Sequence, residues 1–288
     1  MLTAQSRKTL RAAAAPKVFE DILVYMDEGA AAQNALAYAE ALVPEGNVAA
    51  LTYGMMPDYP ASEFGAEAWI IAQREAEQEA EQREARLREK LALNGSRAEL
   101  RRANIVPGDE GRALAAQALY ADAVIIGWPK ANAEDQPAKA FEGALFHSGR
   151  PVILVPVDHV AKEAPQTVLV AWSTSREAAR AVNDAIPLLR HAAQVRVVVV
   201  SDDRGRREAS PGDDIARHLA RHDVTVEVRH VPSNGELIYR VLLDEARFVG
   251  ADMLVMGGYS HSRTGEWLFG GVTRDMLGQM TVPVLMSH

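Results

Sequence analysis

"DILVYMDEGAAAQNALAYAEAL" (residues 21–42) and "TVLVAWSTSREAARAVNDAIPLL" (residues 167–189) carry one pattern twice. At an offset of 146, Leu23 meets Leu169, Val24 meets Val170, Ala32 meets Ala178, Ala39 meets Ala185 and Leu42 meets Leu188. Further along, "ADAVIIGWPK" (121–130) matches "ADMLVMGGYS" (251–260), with Gly127 and Gly257 aligned. "GRPVILVP" (149–156) matches "TVPVLMSH" (281–288), with Pro151 facing Pro283. Three matches in the same order indicate a duplicated unit. The polar "VDHVAKEAPQ" (157–166) reads as the linker. The expected organisation is a tail at 1–16, a first domain at 17–156, the linker, and a second domain at 167–288.

Within each half, short apolar runs alternate with helical patterns. Strands are expected at 21–26, 47–53, 99–106, 123–127 and 151–156, then at 167–171, 194–201, 225–231, 252–257 and 282–286. Several are unbroken Val/Ile/Leu runs, the pattern of parallel strands buried on both faces. Helices between them give right-handed crossovers. The fold class is therefore α/β, with two tandem open five-stranded parallel sheets of the doubly wound type. Residues 178–190 place Ala178, Val182, Ala185, Ile186 and Leu189 on one helical stripe. Pro187 predicts a kink or an early end there. Residues 62–93 form an Ala/Glu/Gln/Arg run with little apolar surface after Ile71. As a helix it would reach about 45 Å, held by Glu/Arg pairs three or four apart. It reads as an exposed crossover helix or as a contact for a partner.

Composition narrows the function. The 288 residues are 48% hydrophobic and 24% charged, with a net charge of -8. No basic face stands out, which argues against a nucleic-acid partner. The chain has no cysteine, which removes disulfides, thiolate catalysis and cysteine zinc sites. No apolar run approaches the ~18 residues of a membrane span. The first twenty residues are basic and Ala-rich without an apolar core, so no secretory signal is expected and the cytoplasm is the expected location.

The stretch with chemical promise is "MGGYSHSRTGEWLFGGVTRDML" (256–277). Met256-Gly257 ends the fourth strand of the second half, and ligands of open α/β sheets sit beyond such strand ends. Glycines there let backbone N–H groups approach phosphate oxygens. Gly270-Gly271 precedes a helix start at Val272-Thr273, whose free N–H groups attract anions. His261, Arg263 and Thr273 are candidate side-chain donors. From spacing alone, a phosphate cradle and a purely structural turn both stand.

The chain from about residue 18 to 288 resembles the universal stress protein family, as a tandem member with two UspA-type domains. The repeated strand–helix openings, the 251–277 block and the closing "TVPVLM" carry the resemblance. It implies an adenine-nucleotide α-hydrolase-like fold with the two domains packed as a pseudo-dimer, the last strands 151–156 and 282–286 meeting across the halves. Nucleotide-binding members carry G-x2-G-x9-G-[ST] after the fourth strand and an Asp just after the first. Here Gly257 and Gly270 keep the first and third positions, while Ser260 and Gly271 replace the second glycine and the Ser/Thr. Ser173 stands where the Asp would be, and the first half keeps that acid as Asp27. Of the first half's motif only Gly127 remains, with Ala138-Lys139 at the distal pair. The resemblance thus implies a stress-response sensor with ATP or AMP in the second half, Mg2+ accompanying a nucleotide at most, an unidentified protein partner and a homodimer. A nucleotide-free scaffold using the long helix is the rival, and a very slow ATPase is a third reading.

Other features carry less. "GYSHS" (258–262) lacks the last glycine of a nucleophile elbow. His218 and His222 sit four residues apart without the intervening Glu of a zinc motif. "SDDRGRREASPGDD" (201–214) reads as a charged surface loop or a cap on the site. Trp172 reads as a pocket wall or as packing between the halves. Gly143, His147 and Arg150 line a remnant pocket, or else simply end a helix. Asp252 reads as strand-entry structure.

Overall fold

The computed structural model describes residues 18–58, 65–129, 136–160, 164–201, 211–259 and 271–288. The predicted tail at 1–16 lies outside them. The first half runs β1 (Asp21–Tyr25), α1 (Ala30–Leu42), β2 (Asn47–Met55), α2 (Ala66–Leu93), β3 (Glu99–Ile105), α3 (Glu110–Ala118), β4 (Ala123–Trp128), α4 (Gln136–His147) and β5 (Val152–Pro156). The second runs β6 (Thr167–Ala171), α5 (Arg176–Leu189), β7 (Gln194–Ser201), α6 (Pro211–Ala220), β8 (Val226–Pro232), α7 (Ile238–Val249), β9 (Met253–Gly257), α8 (Gly271–Gln279) and β10 (Val284–Ser287). All ten expected strands form, with ends displaced by at most two residues.

The two sheets fuse into one of ten strands, in the order β3-β2-β1-β4-β5-β10-β9-β6-β7-β8. Pairing is parallel within each half. At the junction β5 and β10 pair antiparallel, Leu285 opposite Ile153. The order reads the same from either edge, and α1 and α5 pack on the same face. The halves are therefore related by a near two-fold axis perpendicular to the sheet. The carboxyl ends of their parallel strands, where such folds bind ligands, point in opposite directions.

Burial follows from the strand composition. Every residue of β4 and β5 is buried, as expected for central strands covered on both faces. One apolar layer joins α1, α2, α5 and α6 to the sheet, and the other joins α3, α4, α7 and α8; both run unbroken across the junction. Asp122 and Asp252 do equivalent work at the strand entries. Asp122 accepts from the backbone of Glu20 and Asp21 at 2.8 and 3.1 Å, and Asp252 from Gln166 and Thr167 at 2.9 and 3.0 Å. This is the structural role expected for Asp252.

Two helices depart from expectation. α5 starts at Arg176 and continues through Pro187 to Leu189. Pro187 falls in the last turn, where its missing N–H costs one bond rather than a ladder. α2 is described from Ala66, and 62–64 lie outside the described residues. It is less solvated than its composition suggests, because Ala80, Leu87 and Leu91 are buried. Its first turns still leave Ile70 and Ile71 about half exposed.

Candidate functional site

In the second half, β6 ends in Trp172-Ser173 and the chain turns into α5. The Ser175 hydroxyl accepts from Ala178 N at 3.1 Å and caps the helix. This helix end lies directly against β9. A Cβ built on Gly257 would stand 2.6 Å from Ala178 N and 2.7 Å from the carbonyl carbon of Glu177. Gly127 has the same duty in the first half, where a Cβ would overlap the carbonyl of Ala31. The aligned glycines are thus required by helix-on-strand packing, whatever approaches from outside.

Beyond Gly257, Gly258 N donates to Ser287 O at 2.9 Å. Tyr259 takes a φ of +58°, uncommon for a residue with a side chain. Its N–H donates to the hydroxyl of Thr273 at 3.2 Å, and Thr273 is buried in the first turn of α8. Among the described residues, nothing lies within 4 Å of a Cβ built on Gly271.

These residues surround a cavity of about 250 Å³. One rim is Ser173, Gly257, Gly271, Val272 and Thr273; the walls are Trp172, Val198, Val200 and Met256, closed by Ile238 and Leu242 of α7 and by Tyr259. Of the expected site residues, the structure brings together Ser173, Met256, Gly257, Gly271, Val272 and Thr273. Ser260, His261, Arg263 and Gly270 lie outside the described residues. Asp27 and Gly127 belong to the other half and do not join this cavity. Position 173 carries a serine rather than a carboxylate, and its hydroxyl is 3.3 Å from that of Ser175. Trp172 is a cavity wall and also packs on the apolar layer of α5.

Sequence reading missed the α7 residues and Tyr259. Ile238 and Leu242 stand four apart on one helical stripe, which was visible. What was not visible is that α7, rather than another helix, closes the cavity. Tyr259 also reaches the first half. Its ring centroid is 6.3 Å from Phe141 and 5.1 Å from Phe146, both on α4. Burial, then the nearby Glu142 carboxylate, raises the pKa of its hydroxyl. Burial in turn raises the pKa of Glu142. A carboxyl with a raised folded-state pKa favours folding in acid, and that contribution is lost as the pH climbs through the raised value. Glu142→Gln is therefore expected to raise the melting temperature at pH 8 and to leave it unchanged at pH 4, read by paired thermal melts.

The corresponding hollow of the first half is built differently. Strand registers align Tyr25 with Ala171, and Leu51 with Val198, so that Tyr53 corresponds to Val200. Two small side chains are replaced by two tyrosines, with ring centroids 5.4 Å apart. The Tyr25 hydroxyl donates to Gln136 Oε1 at 3.1 Å, and that of Tyr53 to Glu110 O at 2.6 Å. Lys139, at the position of Gly271, places its ammonium 3.3 Å from the buried Glu110 carboxylate. The Lys139 cation is thus already neutralised. Gly143 is consumed by a close crossing with Gly111 of α3. α4 ends at His147, followed by Gly149 at φ +69°, and Arg150 donates to Leu119 O. The remnant pocket is a helix end.

Among the described residues, no group of three or more His, Cys, Asp or Glu is arranged to hold a metal. The His218 and His222 rings lie 4.8 Å apart, and His218 faces Asn183. No helix among the described residues is long and apolar enough to cross a membrane.

Residues 165–288 match the model of the universal stress protein family. Among solved structures, the chain is similar to a universal stress protein from Archaeoglobus fulgidus, with 17% identity over 92% of this chain and 97% of that one and a TM-score of 0.68. A protein of unknown function from Pseudomonas aeruginosa follows with 12% identity, 93% and 92% coverage and a TM-score of 0.53. A universal stress protein solved in complex with cAMP covers 44% of this chain, with 23% identity and a TM-score of 0.35. No curated protein matches. The C-terminal half of this chain is thus matched by the universal stress protein family, and the chain as a whole shares its fold with the Archaeoglobus fulgidus protein.

Proposed function

We propose that the chain is a cytoplasmic stress-response sensor that binds one adenine nucleotide, ATP or AMP, in its second half. The observation that carries this reading is the cavity between β6 and β9. It has apolar walls on both sides of a slot, and the first turn of α8 stands at its rim. A flat purine suits such walls, since cavities of roughly 150 Å³ already admit a benzene ring. The N–H groups of Gly271–Thr273 and the positive end of α8 then face the phosphates. Mg2+, if present, accompanies the phosphates. The described residues lining the cavity include no carboxylate or histidine, and binding is the work proposed for it. Occupancy would order the rim, and a protein partner or a second copy would read the ordered surface.

A thermal-shift series with ATP, ADP and AMP tests this. Ligand bound only to the native state raises the melting temperature by mass action, and at least one of the three is expected to do so at millimolar concentration. No shift with any of them contradicts the reading. That outcome would favour the nucleotide-free scaffold, for which the exposed Ile70 and Ile71 on α2 are the contact surface.

A further inference from the structure

We propose that the first half holds a binding site of its own, for a small zwitterion of the free α-amino acid class, in the cavity between Asp27 and Arg83. The proposal does not rest on nucleotide binding in the second half. The cavity measures about 200 Å³, and its lining includes Tyr25, Asp27, Glu28, Tyr53, Arg83 and Gln136. The two tyrosines fill the space that stays open in the second half, so a purine-shaped slot becomes a shorter, polar one. The volume still exceeds the roughly 150 Å³ that admits a benzene-sized molecule.

The charges decide the ligand class. Asp27 follows β1; its Oδ1 accepts from Gly29 N at 2.7 Å, and the carboxylate has no ion pair within 4 Å among the described residues. Glu28 is already taken by Arg86, at 2.7 and 3.1 Å. Arg83 reaches in from α2, an arm with no counterpart among the described residues of the second half's cavity. One of its nitrogens donates to Tyr53 O at 3.4 Å, and the other meets Glu79 at 3.2 Å. Glu79 is mostly exposed on the same helix, and such pairs hold weakly against water. Among the described residues, the charges left to a ligand are therefore one carboxylate and one guanidinium. A simple cation would be drawn by Asp27 and opposed by Arg83, and a simple anion the reverse. A zwitterion satisfies both, ammonium on Asp27 and carboxylate on the guanidinium fork. Thr52, 2% exposed, and the Tyr25–Gln136 pair supply neutral polar lining. Burial, and then Asp27, raise the pKa of the Tyr25 hydroxyl, while Arg83 lowers it.

Calorimetric titration of the full chain with each common L-amino acid tests this, with ethylammonium, acetate and glycerol as controls. At least one amino acid is expected to bind saturably at one per chain, with the three controls inert at equal concentration. Asp27→Asn and Arg83→Gln should each weaken binding about tenfold or more. Glu79→Gln, which releases Arg83, should tighten it, a gain that a folding defect cannot mimic. Absence of saturable binding by any amino acid overturns the proposal. So does binding that is unchanged in both the Asp27 and Arg83 variants, or a control that binds as tightly as the amino acid. Nucleotide titrations of the same samples report the other half separately.

Discussion

Gly127→Val is expected to cost about 3 kcal/mol or more, at the upper end of overpacking penalties. A branched side chain there has nowhere to go, because even its first carbon would overlap the backbone of Ala31 and approach Ala32 N. Backbone cannot step aside as a flexible side chain would, so α1 must lift from β4 and uncover buried Ala32, Ala35 and Leu36. A fall in melting temperature of order 10 °C follows for a chain of this size. Gly257→Val meets Ala178 N and Glu177 in the same way and should behave alike. Gly278→Ala is the contrasting case. Nothing among the described residues lies within 4 Å of its built Cβ, and it sits within α8. There alanine should gain roughly 0.5–1 kcal/mol through helix propensity. Urea unfolding of the three variants reads all three effects. A well-tolerated Gly127→Val would show that the helix and strand are not packed as described.

The second large effect is on binding. Ala171→Tyr with Val200→Tyr transplants the tyrosine pair of the first half into the second. Both replaced residues line the 250 Å³ cavity, and two phenol rings leave no room for a purine. Loss of nucleotide affinity of at least about 100-fold, near 2.8 kcal/mol, is expected with the fold retained. Retention is expected because the same strand positions already carry tyrosines in the first half. Thermal shift with ATP and AMP checks this, and undiminished stabilisation by nucleotide would place the ligand elsewhere.

The fold was open to reading because the duplicated signals are local. Unbroken apolar runs such as "AVIIG" and "VILVP" need no partner to declare a buried parallel strand, and their repetition in order declared two units. The family resemblance supplied the meeting of the last strands, and β5 against β10 follows it. The site was only half legible. Ser173, Met256, Gly257 and Thr273 were visible as strand ends and a helix start. Tyr25 and Tyr53 read simply as strand residues. That they fill a hollow follows only once their registers with Leu51 and Ala103 are known. Arg83 was one charge in a long run of charges, and nothing in that run marks the residue that bends back over Tyr53. Gly257 was assigned to a ligand by its position, whereas the helix of its own half occupies the space a side chain would need.

Titration calorimetry of the intact chain with ATP and with AMP tests the central claim most directly, since it counts sites as well as detecting them. The two halves share a fold but differ at Tyr25 and Ala171. One nucleotide per chain is therefore predicted, lost in the Ala171→Tyr, Val200→Tyr variant and retained when Asp27 is changed to Asn. Two nucleotides per chain, or none for either compound, would contradict it.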